Sequence, residues 1–80
     1  MPLSILKMTE FNQYLRDVVN EYDAWYPQLR WGQIYLYVLS KKQPNLVCFI
    51  VENRKLDPFY NDKKIEEFLI FVRENWGNYD

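Results

Sequence analysis

A chain of 80 residues with one cysteine and no histidine holds few groups able to do covalent or acid–base chemistry. Cys48 lies in the apolar run Leu46-Val47-Cys48-Phe49-Ile50-Val51, where burial would raise the thiol pKa and leave it a small hydrophobe, so it is read as core packing. The carboxylates Asp57, Asp62, Glu66 and Glu67 are of the right type for a hard-cation site or an acid–base pair. Their spacing does not match a calcium loop, and no glycine supplies the sharp turn such a loop needs. A lone cysteine without histidine cannot complete an ordinary zinc site. The expectation is therefore no catalytic residue, no metal ligand and no cofactor. Asp57 and Asn61 are read as caps, and Asp62 with the two glutamates as charges that favour the positive end of a helix dipole.

What remains is the chemistry of recognition. Arg30 and Gln33 are either donors lining a pocket near Tyr60, or structural, with Arg30 clamped to Asp57 or Asp62 in a bidentate pair. Three basic pairs, Lys41-Lys42, Arg54-Lys55 and Lys63-Lys64, would bind single-stranded nucleic acid by charge and stacking if the fold gathered them beside Trp25, Tyr26 and Tyr37. Acidic residues are interleaved with them, and the formal net charge is −1, so the plainer reading is solvated surface. Aromatic residues make up 19% of the chain, and Tyr14, Trp25, Tyr26, Tyr37 and Tyr79 lie off its apolar stripes. Surplus aromatics suit a contact surface, and they equally suit a small domain that covers itself with every large side chain. The candidate binding set is Arg30, Gln33, Asp57, Phe59, Tyr60, Trp25 and Tyr26. The expected partner is another protein, with a homodimer through exposed aromatics as a second form of that expectation and nucleic acid as the alternative class.

These groups must be positioned by few elements, since 80 residues hold one core and one domain. Phe11, Leu15, Val18, Val19 and Tyr22 share a helical face, which predicts a helix over 9–23 capped at Thr9, or from Ser4 with Leu3 and Met8 as a hydrophobic staple. Met8 is an alternative initiator, which would make residues 1–7 a dispensable leader. Pro27 ends the pattern. The runs Ile34-Tyr35-Leu36-Tyr37-Val38-Leu39 and Leu46 to Val51 read by periodicity as helices or strands alike, and their β-branched and aromatic content favours strands. The last element is the clearest. Asp57 and Pro58 open a turn, Asn61 caps, Tyr60 and Ile65 take staple positions, and Ile65, Phe68, Leu69, Val72 and Trp76 form one face before Gly77 at C′. Residues 78–80 are expected to fray. No apolar run approaches a membrane span and no secretory signal is visible, so a cytoplasmic setting without a membrane is expected.

Arg30-x-Gly32-Gln33, then Pro44 and Leu46, then Asp57-Pro58-Phe59-Tyr60-x-Asp62-x-x-Ile65-x-x-Phe68-Leu69-x-x-Val72-x-x-x-Trp76, resembles a family of small uncharacterised bacterial and bacteriophage proteins over roughly residues 8–76. The resemblance implies helices at 31–41 and 44–52. It thereby favours an all-α, compact single-domain bundle of about four helices, over 9–23, 30–42, 44–53 and 61–76. The alternative is α+β, a helix–β-hairpin–helix with strands near 33–39 and 46–51. That family has no assigned activity; the lack of catalytic groups, the surplus aromatics and the resemblance together lead to the expectation of a small non-enzymatic protein that binds and modulates, for example inhibits, a host protein in the host cytoplasm. Val47-Cys48-Phe49-Ile50-Val51 and Glu52-Asn53-Arg54-Lys55 depart from the family pattern.

Overall fold

The computed structural model describes residues 5–79. Four α-helices follow one another, α1 (Ile5–Trp25), α2 (Trp31–Lys42), α3 (Pro44–Glu52) and α4 (Ile65–Asn75), with a short 3₁₀ turn at Asp62–Lys64 before the last. No strand occurs among the described residues, so the hairpin alternative is set aside. The globule has a Cα radius of gyration of 12.0 Å.

The ambiguity of the middle segment has a physical origin. α2 runs through the centre and buries Ile34, Leu36, Val38 and Leu39. A helix covered on most of its circumference shows an apolar residue at every second position and so mimics a strand. α3 is a nine-residue helix started by Pro44 at its first turn, where a missing N–H costs nothing. It turns Leu46 and Ile50 inward, four residues apart. Cys48, half a turn from both, faces out and is exposed, which corrects the expectation of a core thiol.

α1 starts earlier than expected. Residues 5–8 already belong to it, and Thr9 donates its hydroxyl to the Ile5 carbonyl at 2.9 Å instead of capping. Leu3 and Ser4, invoked for the alternative start, lie outside the described residues. The buried face is Phe11, Tyr14 and Val18, with Leu15 and Tyr22 at its margin and Val19 at 53% exposure. Tyr14, expected off the core, is fully buried. Its hydroxyl donates to the Tyr35 carbonyl at 2.7 Å, which satisfies the one polar atom that burial would otherwise strand. Burial is also the main reason its phenol is pushed far above the ordinary tyrosine range.

α4 completes the core with Phe68 and Val72, and Trp76 follows at its C-cap. The Trp76 indole meets Phe11 edge-on at 5.8 Å and Tyr14 at 5.6 Å. Its Nε1 is buried with no hydrogen-bond partner. Gly77, at φ 81°, takes the left-handed conformation expected of it, and its N–H donates to the Gln43 side chain at 3.0 Å. Gln43 thereby joins the α2–α3 corner to the end of α4. Tyr79, expected in a frayed tail, rests on Phe49 at 5.0 Å and is half-buried.

Candidate functional site

The segment between α3 and α4 is a series of nested turns. Leu56 N–H donates to Asn53, Asp57 N–H to Arg54, Asn61 N–H to Pro58 and Lys64 N–H to Asn61, over 2.9–3.3 Å. Two side chains lock it further. Asp57 Oδ1 accepts from Phe59 N–H at 2.9 Å, and Asn61 Oδ1 accepts from Lys63 N–H at 3.0 Å, so both residues cap as expected. Lys64 Nζ then reaches back to the Arg54 carbonyl at 3.1 Å.

The segment is held to the core at one close approach. Pro58 is fully buried against Gly32 in the first turn of α2. A Cβ built on Gly32 would collide with the Pro58 carbonyl oxygen and lie 2.8 Å from its carbon. Only glycine fits there, because the obstruction is backbone and cannot rotate away. Gly32 of the Arg-Trp-Gly-Gln segment and Pro58 of the Asp-Pro-Phe-Tyr segment are thus two halves of one seam. Gln33 supports it from below by accepting the Arg30 backbone N–H at 3.0 Å.

Beside the seam the chain leaves an open groove of about 580 Å³. Leu36 forms part of its lining and is buried. Val51, Phe59 and Tyr60 add further apolar surface, and Arg54, Asp57, Asn61 and Lys64 add the polar groups. Phe59 and Tyr60 meet edge to face at 4.7 Å, and Tyr60 is 81% exposed. So exposed a ring covers little of Ile65, and the expected staple gives way to the pair with Phe59. Among the described residues the Arg54 guanidinium, the Asn61 amide NH₂ and the Tyr60 hydroxyl have no protein partner.

The other candidates lie elsewhere. Arg30 is exposed, lines no part of the groove and forms no ion pair with Asp57 or Asp62. Trp25 donates its indole N–H to Glu21 at 2.8 Å and meets Tyr37 edge-on, and Tyr26 leans on Tyr22. The basic pairs are divided. Lys41 sits 4.4 Å above the Tyr37 ring, and Lys42 pairs with Asp17 at 2.7 Å, the two lysines lining a different cavity. Lys55 and Lys63 are exposed and outside the groove, leaving Arg54 and Lys64 at it. The hydrogen bond from Lys42 and then that from Gln13 hold the Asp17 carboxyl below the ordinary aspartate range.

Sequence reasoning placed Asp57, Phe59 and Tyr60 in one site. It put Arg54 and Lys64 in the rival nucleic-acid set, met Val51 and Arg54 only within the segments that depart from the family pattern, and passed over Leu36. No periodicity in the sequence marks a groove formed where a helix end meets a turn. Among the described residues no cluster of three His, Cys, Asp or Glu side chains could hold a metal, and no helix is long and apolar enough to cross a membrane. Comparison with family models, with curated proteins and with solved structures returns no match.

Proposed function

We propose that this is a small non-enzymatic binding protein, and that it docks another protein in the groove between the end of α3 and the 57–61 turn. The observation that carries this reading is Tyr60. A large aromatic side chain stands 81% exposed on a turn that four backbone and two side-chain hydrogen bonds hold in place. Displaying such a ring on a rigid platform gives a partner a contact with little ordering cost, and aromatic anchors dominate binding energy at protein interfaces. Modulation of a bacterial host protein, the role expected from the surplus aromatics together with the resemblance, is consistent with a domain that offers such a surface.

The test is affinity capture with the tagged protein from bacterial lysate, in parallel with the Tyr60→Ala and Trp25→Ala variants and with nuclease treatment. The reading expects one protein recovered near stoichiometry, indifferent to nuclease, lost with Tyr60→Ala and retained with Trp25→Ala. Recovery that vanishes on nuclease treatment, or that survives Tyr60→Ala, would overturn it.

A further inference from the structure

Resting on that docking reading, we infer that the groove takes an acidic segment of the partner: an apolar side chain with a carboxylate close beside it. Several of the groove's polar atoms are already engaged within the chain. Asp57 is its only acidic lining residue, and one carboxylate oxygen is occupied by the Phe59 N–H. The Asn61 carbonyl oxygen is likewise occupied, by the Lys63 N–H. What is left to a ligand is weighted toward donors: the Arg54 guanidinium, the Asn61 NH₂, the Tyr60 hydroxyl and the Lys64 protons not directed at the Arg54 carbonyl. A donor-rich mouth is complemented by acceptors, and two cations select an anionic one. The apolar lining of Leu36, Val51 and Phe59 adds the second requirement.

A carboxylate on a peptide fits this lining better than a phosphate backbone does. Nucleic acid needs a continuous basic track. Lys41 and Lys42 line another cavity and already face Tyr37 and Asp17, so no such track continues from Arg54 and Lys64. Aliphatic surface from Leu36 and Val51 also suits a branched side chain better than a stacked base.

The experiment is a titration of the isotope-labelled full chain, read by backbone and arginine side-chain NMR resonances. The first probe is an N-acetylated, C-amidated peptide with one leucine between two glutamates in a Gly-Ser frame. The second replaces both glutamates by glutamine, the third replaces the leucine by alanine, and the fourth is a short oligothymidylate. The inference expects the first probe to move Val51, Phe59, Tyr60 and the Arg54 side chain. It expects each peptide change, and Arg54→Gln in the protein, to weaken binding about tenfold or more, the scale of one charge-assisted contact. An unchanged circular dichroism spectrum for Arg54→Gln separates lost contact from lost fold. Equal binding of the glutamine peptide, tighter binding of the oligothymidylate, or shifts confined to Trp25 and Tyr37 would each overturn the inference. Failure of the docking reading is told apart by lysate capture. Capture lost with Tyr60→Ala but indifferent to Arg54→Gln keeps the docking surface and removes the acidic ligand, whereas capture indifferent to both removes the two together.

Discussion

Two pairs of aromatic residues at the surface, Trp25 with Tyr37 and the partly buried Phe59 with Tyr60, differ in what their polar neighbours are doing. At the first, the neighbouring donors and cations are engaged within the chain: the Trp25 N–H on Glu21, the Lys41 ammonium over Tyr37, Lys42 on Asp17. At the second, the backbone N–H groups of Asp57, Phe59, Asn61, Lys63 and Lys64 are engaged, while the Arg54 guanidinium and the Tyr60 hydroxyl have no protein partner. Exposure of apolar surface is common to both, as it is to most small proteins. A surface that has satisfied its own polar groups has little left to offer another molecule, so the contrast lies in hydrogen-bonding capacity more than in area.

The contrast can be broken most forcefully at its support. Gly32→Ala drives a methyl group into the Pro58 carbonyl, and we expect a loss of about 3 kcal/mol in denaturant unfolding, the upper end of overpacking costs. Because the groove is built on that seam, binding should be lost with it. Next come the two aromatics themselves. Tyr60→Ala should leave stability within about 0.5 kcal/mol while costing about 2 kcal/mol of partner binding by calorimetry. Trp25→Ala should do the reverse, costing about 1 kcal/mol of stability through its ring pair and leaving affinity unchanged. Equal effects of the two on affinity would erase the distinction. A finer probe is Asp57→Ala, which removes the acceptor for the Phe59 N–H. A stability loss of about 1 kcal/mol, typical of a lost cap, should accompany weaker binding as the turn loosens.

The smallest effect is expected at the self-satisfied cluster. Asp17→Asn removes the partner of Lys42 at a site where solvent screens the pair, so the loss at neutral pH should be a few tenths of a kcal/mol. Its pH dependence has a definite sign. The folded carboxyl titrates below the ordinary value of 3.8, so its contribution is complete above that value and disappears as pH falls through the depressed one. Thermal melts of wild type and Asp17→Asn should therefore differ slightly at pH 7 and converge in strong acid.

Much of the fold was legible because local signals agreed with one another. The apolar face from Phe68 to Trp76 and Gly77 mark α4 from the sequence alone, whereas Asn61 caps the 3₁₀ turn at Asp62–Lys64 and α4 itself begins at Ile65, later than the expected 61. Where a long-range contact decides, local signals fail. Tyr14 reads as surplus until the Tyr35 carbonyl comes within reach of its hydroxyl, and its burial turns the inner face of α1 to Phe11, Tyr14 and Val18. α2 resists assignment by pattern because it is surrounded. The site was half legible for the same reason. Asp57, Phe59 and Tyr60 are neighbours in sequence, but Leu36 comes from a helix about twenty residues earlier, and the Gly32–Pro58 approach that joins them leaves no periodic trace.

The unpartnered indole of Trp76 makes the molecule its own stopwatch. With its Nε1 buried and no acceptor beside it, that proton should pass to deuterium oxide only through a local opening of the packing around Phe11 and Tyr14. The Trp25 proton, on a surface residue, exchanges without any such opening. Two of the three indole signals in one proton spectrum would thus time the breathing of the core against an internal blank, with no label attached.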